Sequence, residues 1–128
     1  MPDKRNLRWV WPATGKVVST YEAKDPLRKG IKLAGKPGDP VFAAEAGKVV
    51  YSGSGLIGYG RLIIVKHNEK YLSAYGHNRR LLVKQGQQVK KGQKIAEFGR
   101  SNDGRPLLHF EIRRDGEPVN PQALLPRR

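Results

Sequence analysis

Leu107-Leu108-His109-Phe110-Glu111-Ile112-Arg113 is the stretch on which the fold turns. Side chains on a strand point to alternate faces. Leu108, Phe110 and Ile112 therefore form one apolar row, and Leu107, His109, Glu111 and Arg113 form the row behind it. An apolar row turned to a core, backed by a polar row with a histidine, is how a sheet presents a site in a groove. Working outward from it, short strands are predicted at 16–20, 30–33, 41–43, 48–52, 62–66, 71–75, 94–98 and 107–113. Turn sequences such as Pro37-Gly38-Asp39-Pro40, Gly53-Ser54-Gly55 and Asn102-Asp103-Gly104 separate them. No stretch of helical length carries a 3.6-residue period; the tail from Pro121 to Leu125 suits one terminal turn. The expectation is an all-β fold, a small barrel-sandwich of short antiparallel strands with a surface groove.

The composition agrees. A chain of 128 residues suits one domain, with a core at about 11–121 and a polar opening segment at 1–8. Gly 15 and Pro 9 are spread along its length, as many short strands joined by turns require. Nothing approaches the roughly 20 apolar residues of a membrane span, and the opening residues lack the apolar stretch of a secretory leader. The absence of cysteine excludes disulfides and thiolate metal sites. The net charge of +14 is divided almost evenly between the two halves and attracts polyanions in general. The sequence has no helix-turn-helix and no aromatic RNA-binding strand, so nucleic acid is not the expected partner. There is also an internal echo: Gly38-x-x-Val41 followed by Gly47-Lys48-Val49 resembles Gly86-x-x-Val89 followed by Gly92-Gln93-Lys94-Ile95. Each unit reads as two short strands with glycine turns, and two such units suit face-to-face packing.

Histidine is scarce: His67, His77 and His109 are all there is. A catalytic zinc takes about three protein ligands and an open position for water. The order Gly38-x-x-Val41-x-Ala43-x-x-x-Gly47-x-Val49, Gly58-Tyr59-Gly60, Ile64-x-x-His67, Tyr75-Gly76-His77, Val89-x-x-Gly92-Gln93-x-Ile95 and Leu108-His109-Phe110-Glu111 resembles the LytM, or lysostaphin-type, zinc endopeptidase domain. The likeness runs from about Trp11 to Pro121. It implies that family's fold, with a zinc held by a His-x-x-x-Asp segment and by the second histidine of a closing His-x-His.

Here the aligned segments read Arg28-Lys29-Gly30-Ile31-Lys32 and Leu107-Leu108-His109. The resemblance thus implies two lost ligands, at Arg28 and Lys32, a surviving one at His109, a lost catalytic histidine at Leu107 and a remnant catalytic histidine at His77. Guanidinium has no lone pair to give, and lysine is protonated at neutral pH. Two cations stand where a divalent metal would bind, and like charges at about 4 Å repel by about 4 kcal/mol at an effective dielectric of about 20. Catalysis by the family's mechanism is not expected, nor is any cofactor.

Among degenerate members, the likeness extends to the amidase-activating group of Gram-negative envelopes, through Arg61-Leu62-Ile63-Ile64-Val65-Lys66-His67-Asn68 and through Pro118-Val119-Asn120-Pro121. It implies a monomeric, periplasmic regulator of cell-wall hydrolysis at division, carried by an outer-membrane lipoprotein in the longer protein. Such a regulator binds and activates N-acetylmuramoyl-L-alanine amidases, with peptidoglycan as a second candidate partner. The groove expected to receive the partner carries Arg28, Lys32, His77, Leu107 and His109 on its floor, with Tyr59 and Tyr75 near its walls. Two other readings are a working zinc endopeptidase, in which Glu22 or Asp25 joins His77 and His109 on the metal, and a basic module for polyanions or peptidoglycan. His67 is expected to be structural. Trp9 and Trp11 are expected to share one face if their segment is a strand.

Overall fold

The computed structural model describes residues 7–128, so most of the polar opening segment lies outside the described residues. Ten strands form in chain order: β1 Val17–Ser19, β2 Ile31–Ala34, β3 Pro40–Phe42, β4 Gly47–Gly53, β5 Arg61–Lys66, β6 Tyr71–Leu81, β7 Gln88–Val89, β8 Lys94–Phe98, β9 Leu107–Arg114 and β10 Glu117–Val119. All pairings are antiparallel. The main path runs β1-β2-β9-β6-β5-β4-β7, with β10 on β9 and the β3–β8 pair joined to β6.

The alternation read in β9 organises this sheet. Phe110 lies opposite Ile31 on β2 and Tyr75 on β6, and Tyr75 lies opposite Ile63 on β5. These side chains, with Leu33, Leu108 and Ile112, are fully buried. Each such burial stabilises the fold by about 1.5–3 kcal/mol. On the opposite face, Lys32, His109 and Gly76 share one row, and Glu111 and Ala74 share the next. Gly30 lets β2 close on β9, because a Cβ there would come within 2.2 Å of the Phe110 carbonyl oxygen.

The internal echo has a structural meaning. The first strand of each unit pairs with the second strand of the other, β3 with β8 and β4 with β7. Gly38 and Gly86 stand at equivalent turns with the same φ of 95°, a conformation that glycine adopts without strain. The two units embrace reciprocally, and Val41, Val49, Val89 and Ile95 meet in the core.

The alternation pattern misses β7, β10 and the far half of β6. β6 continues to Leu81 instead of ending at Tyr75, because its far half, beyond a kink at His77, gains β8 as a new partner. β7 and β10 are too short to show alternation and exist through pairing alone. Pro121–Ala123 forms one 3₁₀ turn, with the Asn120 side chain accepting from the Gln122 N–H at 3.1 Å. The tryptophans do not lie on a strand. Trp9 enters the core and meets the rings of His67 and Tyr71 edge-on, at 5.0 and 5.8 Å between centroids. Trp11 turns to the chain end, donating to the Pro126 carbonyl under the Arg128 guanidinium.

Behind the sheet runs a one-way chain of buried hydrogen bonds. Ala44 N–H donates to the Tyr75 hydroxyl oxygen at 2.8 Å, and a 2.7 Å bond links Tyr75 to Ser73. Another of 2.7 Å links Ser73 to His67 Nε2, while His67 Nδ1 meets the Ala46 carbonyl at 2.7 Å. A carbonyl only accepts, so Nδ1 carries the proton, and every donor upstream is fixed in turn: Tyr75 to Ser73, Ser73 to His67. Tyr75→Phe breaks this chain at its centre and leaves the Ala44 N–H without an acceptor. It should lower unfolding free energy by about 1–3 kcal/mol, read as a lower urea midpoint at unchanged slope. An unchanged midpoint would mean the chain contributes nothing to stability.

Candidate functional site

Lys32 and His109 face each other across the β2–β9 pairing, on the outward side of the sheet. Their contact is direct, with Lys32 Nζ 3.4 Å from His109 Nδ1. The other ring nitrogen, Nε2, lies 2.6 Å from Glu111 Oε2. Tyr59 donates its hydroxyl to the same oxygen at 2.9 Å, and Arg113 Nε donates to Oε1 at 2.9 Å. Burial alone would raise the Glu111 pKa, but the hydrogen bond from His109, the charge of Arg113 and the bond from Tyr59 more than offset it and bring it to about 2. An ionised carboxylate only accepts, so Nε2 of His109 carries a proton; an ammonium only donates, so in its contact with Lys32 the Nδ1 of His109 is the acceptor and turns its lone pair to Lys32. Burial holds the Lys32 pKa below the usual lysine value, with Glu111 opposing that shift.

His77 completes the row at the kink of β6. Its φ is 66°, a left-handed conformation uncommon outside glycine, and its N–H donates to the Tyr59 carbonyl at 2.8 Å. The ring stands 6.2 Å from that of His109, and its Nδ1 is enclosed without a hydrogen-bond partner. Burial first, then His109 and Lys32, push its pKa down to about 4, so His77 is neutral at pH 7.

Around these groups lies a cleft of about 370 Å³, lined by Lys29, Lys32, Tyr59, His77, His109 and Glu111. Its lips carry two apolar side chains turned to solvent, Leu27 at 81% exposure and Ile57 at 97%. Lysine ammoniums beside apolar lips suit a ligand that is acidic and partly apolar.

Of the expected groove residues, Lys32, Tyr59, His77 and His109 come together, and three others do not. Arg28 turns away, its guanidinium donating to the Thr20 carbonyl at 2.9 Å and to the Thr20 hydroxyl at 2.7 Å. The neighbouring Lys29 lines the cleft in its place. Leu107 is buried opposite Ala34 and is not among the residues lining the cleft. Tyr75 is no wall residue, because its inward register makes it a fully buried core side chain against Phe110. Glu22 and Asp25 do not join the histidines: they line a separate hollow with Tyr21 and Pro118, and Asp25 Oδ1 accepts from the Leu27 N–H at 2.9 Å within its own turn. Sequence reasoning passed over Glu111, although it stands in the same polar row as His109. It also passed over Leu27, Lys29 and Ile57, which lie on loops that no periodicity places.

These residues do not fit a zinc ion. Among the described residues no three histidine or carboxylate side chains are placed to hold a metal ion together. The one outward lone pair of the inherited set, on His109, is met by an ammonium. A metal would have to displace a charge of its own sign.

Comparison with known proteins bears on this site. The description "Peptidase family M23" matches residues 26–121. A Pseudomonas aeruginosa protein named "Lipoprotein NlpD/LppB homolog" is 60% identical over 120 residues, covering 94% of this chain and 40% of its own length. The "Murein hydrolase activator NlpD" of Escherichia coli K12 is 51% identical, covering 94% and 32%. Among solved structures, a zinc-containing peptidase of Vibrio cholerae superposes with a TM-score of 0.76 at 33% identity, over 86% of this chain and 37% of that one. The chain thus spans only about a third to two fifths of the curated relatives it matches.

The pKa shifts set the acid response. His77 falls from 6.5 to about 4 on folding, so its stabilisation is complete above about pH 6.5 and is lost as pH drops toward 4. That shift corresponds to about 3 kcal/mol. Glu111 falls from 4.5 to about 2, and its contribution is lost lower, between about pH 4.5 and 2. His67, lowered by burial, adds to the upper step. Urea midpoints measured from pH 7 to pH 3 should therefore fall in two overlapping steps. His77→Asn, which tolerates the left-handed backbone, should flatten the first step without abolishing it; equal slopes in both proteins would contradict the placement of His77.

Proposed function

The chain belongs to peptidase family M23, and we propose that within it this chain is a non-catalytic activator, which docks N-acetylmuramoyl-L-alanine amidases in the former substrate cleft. The observation that carries this reading is the Lys32 ammonium set against the lone pair of His109. Water activation in a zinc peptidase needs a metal at an open position. Here a cation of the protein stands beside the inherited ligand, and Leu107 replaces the partner histidine. What the cleft retains is recognition: two lysines, a neutral imidazole and apolar lips.

Relatives named as a murein hydrolase activator and as lipoproteins support a role in the cell envelope. On this reading the chain works in the periplasm, on a longer protein held at the outer membrane. An acidic amphipathic segment of the amidase enters the cleft, its carboxylate meeting Lys32 and Lys29 and its apolar side chains resting on Leu27 and Ile57. Steering by the net charge of +14 speeds the encounter. Holding that segment in the cleft removes it from the amidase, which is how a binding module releases an enzyme.

Release of dye from labelled peptidoglycan tests the reading. The chain alone should release none, and an amidase should release more in its presence. Lys32→Glu should weaken activation about tenfold, equivalent to about 1.4 kcal/mol, and Lys29→Glu somewhat less, while Arg28→Glu should act only weakly because Arg28 faces Thr20. Chelator-sensitive release by the chain alone would replace this reading with a zinc endopeptidase.

A further inference from the structure

The outward face of the sheet beyond the cleft departs from the usual pattern. An antiparallel sheet with one wetted face alternates apolar and polar residues. β5 and β6 instead carry apolar side chains on both faces. Ile63, Val65 and Tyr75 point to the core, and Leu62, Ile64, Leu72 and Ala74 lie on the opposite side. Sheets read this way when both faces become covered. With Leu56, which is 43% exposed, the outward residues line a depression of about 230 Å³.

Two features say what covers it. The depression adjoins the cleft, with Tyr59 and Glu111 as a wall common to both. Cations border it: Arg113 lines it, paired with Glu111, and Lys66 stands in register with Leu72 of its lining on one side and with Lys48 on the other. Lys48 and Lys66 are an exposed cross-strand pair of like charge, an arrangement that weakens a sheet. Neither forms an ion pair among the described residues. An acidic partner would relieve that repulsion.

We propose that this depression is a second anchoring pocket for the same acidic partner segment, taking one large apolar side chain while the cleft holds a carboxylate. The inference rests on the activator reading above. The size suits a single side chain better than a small molecule: about 230 Å³ is below the roughly 300 Å³ at which small-molecule sites begin. Strand spacings put the pocket roughly 10 Å from His109, since the Ala74–Ile64 row is two residues along β9 and one to two strands across. The partner's carboxylate and apolar anchor are therefore about 10 Å apart, near two turns of a helix or three residues of extended chain. A lipid surface fits less well, because the apolar groups line a hollow instead of projecting from it.

The test measures the affinity of the chain for an N-acetylmuramoyl-L-alanine amidase whose activity it raises, by calorimetry, with thermal unfolding of each variant as a check on folding. Leu72→Gln and Ile64→Thr should each weaken binding by about fivefold or more, equivalent to about 1 kcal/mol. Ala74→Phe, which fills the pocket from its floor and keeps it apolar, should weaken it similarly. Lys32→Glu is the cleft variant for comparison. If the pocket variants bind as the parent does and Lys32→Glu does not, the second pocket is wrong and the cleft reading stands. If Lys32→Glu also binds normally, both fail. Loss of binding to phosphatidylglycerol vesicles in Leu72→Gln, with amidase affinity unchanged, would assign the face to lipid and overturn the proposal.

Discussion

Everything particular to this molecule depends on the register that sets Lys32 opposite His109. In the antiparallel pairing of β2 with β9, these two side chains share a row on the outward face. The close approach of Gly30 to the Phe110 carbonyl fixes that pairing. A slip by one residue would turn Lys32 into the core and Leu33 out to solvent, at the cost of several buried contacts. The apolar rows of the inner face therefore hold the polar row of the outer face in place. Glu111 adds the second constraint: by accepting the Nε2–H of His109, it aims the Nδ1 lone pair at the ammonium.

The scaffold behind this row is stiff. Two similar glycine-turn units embrace reciprocally through the β3–β8 and β4–β7 pairs. The directional chain from Ala44 through Tyr75, Ser73 and His67 to Ala46 ties β6 to the loop between β3 and β4. A cleft on such a frame is preorganised, so a bound segment need not order it. The same frame suits hydrolysis when its ligands are present, which is why relatives of this fold include both a zinc-containing peptidase and a named activator. The difference lies in a few side chains on one face.

Much of this was legible in the sequence, and the misses have physical causes. Alternation in β9 assigned the inner and outer rows correctly, because period two follows directly from strand geometry. The resemblance brought Lys32, Tyr59, His77 and His109 to one place. It failed for Arg28, whose long side chain found the Thr20 hydroxyl and carbonyl nearer than the cleft. Tyr75 was misjudged because neighbouring residues of a strand face opposite sides: Tyr75 lies in the core row of Phe110, and the next residue, Gly76, in the row of His109. Leu107 is in the right row, but it lies opposite Ala34 at the start of β9 and is buried, away from the cleft. Leu27, Lys29 and Ile57 sit on loops, whose path is set by tertiary contacts and not by any period.

The central claim is that Lys32 stands where a metal would bind and keeps the lone pair of His109 from it. Nitrogen-15 spectra of the histidine rings, recorded with and without equimolar zinc at pH 7, test it most directly. The account predicts a His109 ring protonated on Nε2 and bare on Nδ1, with resonances that zinc leaves in place. A zinc-dependent shift of His109 Nδ1 at one metal per chain would contradict it.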